Sequence, residues 1–154
     1  SHIIQISSML GFICLPYRGA YNASKYALEA LTDTMRLELA GSGIHPSLIQ
    51  PGPITSRFRE NAYQAFTEAI NADSSVHKTA YQKEIERMQS DRPVPFTLPA
   101  EAVLKKVIHA LESNRPRRRY PVTQPAHVFA FLKRALPDRW LDAILSSASA
   151  HKKP

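Results

Sequence analysis

Tyr21 and Lys25 stand four residues apart in Tyr21-Asn22-Ala23-Ser24-Lys25, thirteen residues after Ser8. Residues at that spacing share one helical face, so the ammonium can lie beside the phenol. A free phenol titrates at about pH 10 and is a poor base near neutrality. A cation about 4 Å away favours the phenolate by on the order of 4 kcal/mol at an effective dielectric of about 20. The pair suits proton transfer in a reaction that interconverts an alcohol and a carbonyl. Tyr17 and Tyr26 compete for the role, but the residues four further on are Tyr21 and Ala30, and neither is a cation.

The elements that must position this pair follow from local pattern. Ile3-Ile4-Gln5-Ile6-Ser7-Ser8 is a β-branched run of the kind found in buried strands. Gly11 to Gly19, with Pro16, predicts a loop, and Ala20 to about Ala40 a helix that Gly41-Ser42-Gly43 stops. Ile44 to Gln50 predicts a second strand, closed by Pro51-Gly52-Pro53. Strand, helix and strand in that order imply a parallel crossover. Ser56 to about Asp91 is helical in pattern but weakly periodic, and Arg92 to Pro99 is broken by prolines. Pro99-Ala100-Glu101 opens a helix with Val103, Val107, Ile108 and Leu111 expected on its packed face. Arg118 to Thr123 reads as a third strand, and helices are expected at about 126–135 and 138–147, split by Pro137. The fold class is α/β, with at least three parallel strands and flanking helices.

The 154 residues suffice for one domain with a core, and no apolar run reaches the length of a membrane span. No basic-then-apolar leader is expected in these residues. The single cysteine, Cys14, is expected as a small buried apolar residue in a reducing compartment, hence a cytoplasmic location. The chain enters an apolar strand almost directly from Ser1, so it is expected to be the second part of a longer polypeptide. The net charge of +7 lies in the last third: residues 1–100 hold 9 basic and 9 acidic residues, residues 101–154 hold 11 and 4. The densest part, Arg115 with Arg117 to Arg119, lacks the stacking aromatics of nucleic-acid sites, and no nucleic-acid partner is expected.

Ser8, Tyr21 and Lys25 in a strand–loop–helix setting, followed by Pro51-Gly52-Pro53-Ile54 after the next strand, resemble the short-chain dehydrogenase/reductase family. Glu101 to Leu111 is similar to that family's penultimate helix and Arg119-Tyr120-Pro121-Val122-Thr123 to its last strand, so the resemblance spans nearly the whole chain. It is strongest to the branch of hydroxysteroid- and retinol-dehydrogenase-like enzymes and bacterial aldehyde/ketone reductases. The implied architecture is the C-terminal part of a doubly wound Rossmann domain. Its catalytic unit would be 1–56, its substrate lid 57–98, and its last helix, last strand and basic helices 99–154.

The resemblance implies an NAD(P)-dependent oxidoreductase acting on an alcohol or carbonyl. The Tyr21 hydroxyl would exchange a proton with the substrate oxygen as hydride passes between nicotinamide and carbon. Lys25 would assist Tyr21 and hold the nicotinamide ribose. Ser8 would bond the substrate oxygen; Ser7 is the alternative, expected instead to make structural bonds. Pro51 and Gly52 would lie at the cofactor, Ile54 would offer its backbone to the carboxamide, and Ser56 would stand where the family has threonine. Thr55 is an adjacent hydroxyl that could substitute. No metal is implied.

The family's Gly-rich turn, its pyrophosphate-binding helix and the Asn of its proton relay have no counterpart here, so the choice of NAD or NADP is not legible. The isolated chain is expected to be inactive and to associate through an unpaired strand edge. A homo-oligomer is expected. Phe58, Tyr63, Phe66, Tyr81, Met88 and Phe96 in the lid favour a lipophilic substrate. Val128 to Arg134, Trp140-Leu141 and Ile144-Leu145 form an amphipathic end with basic flanks, suited to packing over the site or a subunit contact, or to peripheral contact with an anionic membrane. The competing function is a non-catalytic scaffold that keeps the fold.

Overall fold

The computed structural model describes residues 1–149; Lys152 and Lys153 of the basic end lie outside them. Three strands, β1 (His2–Ile6), β2 (His45–Gln50) and β3 (Arg119–Pro121), form a sheet in the order β1-β2-β3, parallel throughout. His2 pairs with His45 and Ile6 with Ile49, while Leu48 pairs with Arg119 and Ile49 with Tyr120. The helices are α1 (Gly19–Glu38), α2 (Phe58–Ala69), α3 (Lys78–Gln89), α4 (Ala100–Glu112), α5 (Gln124–Ala135) and α6 (Asp138–Ser149). Gly41 and Gly43, at φ 83° and 76°, take the left-handed conformation that ends α1 and turns the chain into β2.

Alternation along the strands gives each face of the sheet its own helix. Ile49, Tyr120 and Val122 pack with Ile4 against Ala102, Val103, Val107 and Ala110 of α4. Gln50 and Arg119 point to the other face, where their side chains bond Glu29 of α1. A second apolar cluster, Leu10, Ile13, Leu141 and Leu145, joins α6 to the turn after Ser8, with Tyr21, Phe129 and Leu132 against it.

The helical stretch expected from Ser56 to Asp91 is two helices, because Ile70 is extended (φ −128°) and a 3-10 turn spans Ala72–Ser74. Asn71, Asp73 and Ser74 supply the turn chemistry that a weak apolar period cannot override. The packed face of α4 is also turned from its expected position. Ile108 and Leu111 are exposed together with Leu104, and Ala110 is fully buried. The helix is apolar over a wider arc than β1 to β3 cover. Cys14, expected inside, is exposed, and its neighbour Ile13 takes the buried place.

Candidate active site

The start of α1 is fixed by Asn22, buried, whose amide donates to Leu15 O at 3.2 Å while its backbone N–H donates to Arg18 O at 2.8 Å. Tyr21 is thereby held in the first turn. One turn later, Lys25 Nζ lies 5.7 Å from the centroid of the Tyr21 ring, within the range of a cation–π contact. The same ammonium donates to Ile6 O, at the end of β1, at 3.1 Å. Tyr21 is half-buried, and Phe58 at the start of α2 packs edge-on against its ring at 5.3 Å and 62°.

Ser8 caps the 3-10 turn Met9–Gly11, its Oγ accepting from Leu10 N at 3.2 Å and making a long 3.5 Å contact to Pro51 O. Met9 N donates to the same carbonyl at 2.8 Å, so the turn after Ser8 hangs from the end of β2. Ser7, expected to make structural bonds, donates its backbone N–H to Ile49 O at 2.8 Å, while its buried Oγ has no partner.

Past Pro51 the chain stays extended and meets Leu98 in a parallel bridge at Ile54. Leu98 N donates to Pro53 O at 3.1 Å and Thr55 N donates to Leu98 O at 2.9 Å. Successive peptide groups of an extended chain point to opposite sides, so the Ile54 N–H and C=O face away from Leu98. Ser56 Oγ turns back on the chain, donating to Ile54 O at 3.4 Å and accepting from Phe58 N at 3.3 Å. Thr55 and Ser56 are both exposed. Gly52 is demanded by packing: a Cβ there would collide with Thr123, whose Oγ1 caps α5 by accepting from Ala126 N at 3.3 Å.

A buried polar network lies behind this surface and escapes the sequence reading. Glu29, 7% exposed, accepts from Gln50 Nε2 at 2.9 and 3.0 Å and from Arg119 Nε at 3.2 Å. Arg119 Nη2 reaches Asp33 Oδ2 at 2.6 Å. Burial opposes the Asp33 charge, but Arg119 and then Arg36 outweigh it and hold the carboxyl below its ordinary range. Burial likewise works against Arg119, and Asp33 with Glu29 overcomes it to raise the guanidinium. The signals were present: Tyr21, Lys25, Glu29 and Asp33 recur every fourth residue, and Gln50 is polar inside a buried strand.

Helix α3 and the turn before it pack on the residues before Tyr21. Tyr17, at φ 59°, meets His77 and Tyr81 at 6.5 and 6.3 Å, Phe66 meets Tyr81 at 5.4 Å, and Arg18 lies 4.0 Å from Glu84. Of the expected lining residues Phe58 reaches Tyr21, Phe66 and Tyr81 pack on each other, and Phe96 stands exposed. Tyr26 is exposed, and the partial burial of its phenol, with the neighbouring Cys14 thiol, pushes it upward. Among the described residues no group of His, Cys, Asp or Glu could hold a metal ion, and no helix is long and apolar enough to cross a membrane.

Residues 1–66 match the family model for short chain dehydrogenase. The chain is 45% identical over 150 residues to YbbO, an uncharacterised oxidoreductase of Escherichia coli K12, covering 93% of this chain and 47% of that protein. It is 32% identical to the NADPH-dependent 3-dehydrocapnine reductase of Ornithobacterium rhinotracheale, over 92% of this chain and 48% of the reductase. A short chain dehydrogenase of Burkholderia cenocepacia, solved in complex with NADP, superposes with a TM-score of 0.63 at 23% identity, over 94% of this chain and 47% of that one. The chain thus spans about half the length of the curated relatives it matches.

Proposed function

We propose that the chain is part of a short-chain dehydrogenase/reductase, as the family match over residues 1–66 and the 45% identity to YbbO support, and that the complete protein is an NAD(P)-dependent oxidoreductase interconverting alcohol and carbonyl groups of a lipophilic small molecule. One observation carries this reading: Lys25 Nζ lies over the Tyr21 ring and is tied to the carboxyl end of β1. Ligands of open α/β sheets bind outside such strand ends.

The residues present fit the nicotinamide end of the cofactor. The Ile54 peptide groups, freed by the Leu98 bridge, would meet the carboxamide, and Lys25 would hold the ribose hydroxyls. Pro51 and Gly52 bring the backbone to that edge without a side chain at Gly52, and Ser56 stands at the same rim. When bound, the nicotinamide supplies or accepts the hydride.

In carbonyl reduction Tyr21 gives its phenolic proton to the substrate oxygen, and Lys25 stabilises the phenolate left behind. In alcohol oxidation Tyr21 takes that proton. Ser8 Oγ bonds the substrate oxygen where charge develops, exchanging its long contact to Pro51 O for the substrate. Phe58 against the Tyr21 ring gives the approach an apolar wall, in keeping with a lipophilic substrate. Leu141 and Leu145 of α6 pack on the turn after Ser8, which supports a basic end that packs over the site. Peripheral membrane contact in the cytoplasm would rest on exposed Phe131 and Trp140 beside Lys133, Arg134 and Arg139.

The test is Tyr21→Phe in the complete protein, with a nicotinamide nucleotide and lipophilic aldehydes, ketones or alcohols. Turnover should fall by about 10²- to 10⁴-fold, with cofactor affinity retained. A rate near that of the unmodified protein removes Tyr21 from the reaction and favours a non-catalytic scaffold.

A further inference from the structure

Glu29 joins α1 to β2, β3 and the turn after Ser8. It lies on α1, eight residues past Tyr21 and four past Lys25. Its two carboxylate oxygens accept both bonds from Gln50, the residue before Pro51-Gly52, and one accepts Arg119 of β3 as well. Its side chain also fills the turn that follows Ser8. A Cβ at Gly11 would lie 2.9 Å from Glu29 Cγ and 2.7 Å from Ser7 Oγ. Ser7 Oγ and Glu29 Cγ together occupy the place that a side chain at Gly11 would take.

From these contacts, and on the oxidoreductase reading of Tyr21 and Lys25, we propose that Glu29 is the positioning residue that sets α1, the Ser8 turn and the end of β2 in register. Lys25 Nζ reaches the Ile6 carbonyl only if α1 keeps its depth and rotation over the sheet. Four residues on a helix cover about 6 Å, so a shift at Glu29 is passed to Lys25 nearly undiminished along one rigid turn. Gln50 holds the strand side of the clamp, itself 2% exposed. Its carbonyl is engaged by Val122 N at 3.3 Å, which ties the clamp to the edge of β3. The groups facing Glu29 are Gln50 from β2, Arg119 from β3 and Gly11 from the Ser8 turn, with Asp33 and Arg36 further along α1 on the Arg119 side. Loss of the Glu29 charge leaves the Gln50 amide and the Arg119 guanidinium competing for too few acceptors, a costly state for buried donors.

The experiment compares Glu29→Gln, the exchange Glu29→Gln with Gln50→Glu, Gly11→Ala and Tyr21→Phe in the complete protein. It measures kcat, KM for cofactor, the pH dependence of kcat, and Tm. A displacement near 1 Å costs about a hundredfold in rate, so Glu29→Gln and Gly11→Ala should each lower kcat by about ten- to a hundredfold. In both, the pH profile of kcat should be displaced while KM for cofactor changes little. The exchange restores an acid–amide pair across the same gap and should recover kcat to within about threefold, since most of that displacement penalty is then removed. If Glu29→Gln lowers Tm but leaves kcat and its pH profile unchanged, or if the exchange recovers Tm without kcat, Glu29 is only a structural contact. If Tyr21→Phe stays active, the oxidoreductase reading fails and the positioning role fails with it. An inactive Tyr21→Phe beside a kinetically silent Glu29→Gln overturns the positioning role alone.

Discussion

Lys25 Nζ stands 5.7 Å from the centre of the Tyr21 ring while donating to the Ile6 carbonyl at 3.1 Å. The ammonium is shared between the helix that carries the phenol and the strand beneath it. Its position is therefore a tertiary property, set by how α1 lies on the sheet.

Replacing Lys25 with Met keeps the stem that covers the Tyr21 ring and removes the charge. Two functions should fail together: kcat falls by about 10²- to 10⁴-fold, and KM for the nicotinamide cofactor rises. Tyr21→Phe should change kcat alone. Steady-state kinetics with varied cofactor separates the two, and an unaltered cofactor KM in Lys25→Met would remove Lys25 from cofactor binding.

Gly52→Ala places a methyl into Thr123 and against Met9. Overpacking of this kind costs about 1–3 kcal/mol, so the denaturant midpoint should fall clearly. Thr123→Ala should relieve the collision, because it removes the Oγ1 that the new methyl meets, while giving up the cap on α5. Equal midpoints for Gly52→Ala and the unmodified chain would contradict this close packing of Gly52 on Thr123.

The Asp33 carboxyl is held below its ordinary range despite the opposing effect of burial, through Arg119 and then Arg36. A depressed folded value means that the unfolded chain binds the proton first as pH falls. The contribution of this group is complete above the unfolded carboxylate range, near pH 4, and is lost as pH drops through the folded value. Asp33→Asn should therefore flatten the acid side of the stability profile and leave the slope near neutrality unchanged. Urea unfolding at several pH values checks this.

Among the described residues β1 pairs on one side only, and Leu104, Ile108 and Leu111 of α4 are exposed near it. An open edge beside an apolar face favours association. The 154-residue chain alone should scatter light as dimers or larger species, and Leu104→Glu with Ile108→Glu should reduce that. A monodisperse monomer with a cooperative melt would contradict it.

Local spacing carried much of the outcome. The α1 helix, its glycine stop, the strands either side and the Tyr21–Lys25 face follow from i to i+4 periodicity, β-branched runs and turn residues, all of which act within a few positions. The same locality placed Pro51-Gly52 at a strand end. What local pattern could not decide was which face met what. Glu29 looks like one more solvated charge on α1 until Gln50 and Arg119, from strands 21 and 90 residues away, are brought against it. The basic cluster lost Arg119 to that network for the same reason, and the apolar arc of α4 was assigned a face without knowing how much sheet would cover it. Cys14 and Ile13 exchanged places because a loop has no period to say which neighbour turns inward. Sequence alone determined most of the elements and the shared face of Tyr21 and Lys25, since both arise from neighbours along the chain. The tertiary structure decided the clamp behind the pair, since burial and charge pairing exist only after distant segments meet.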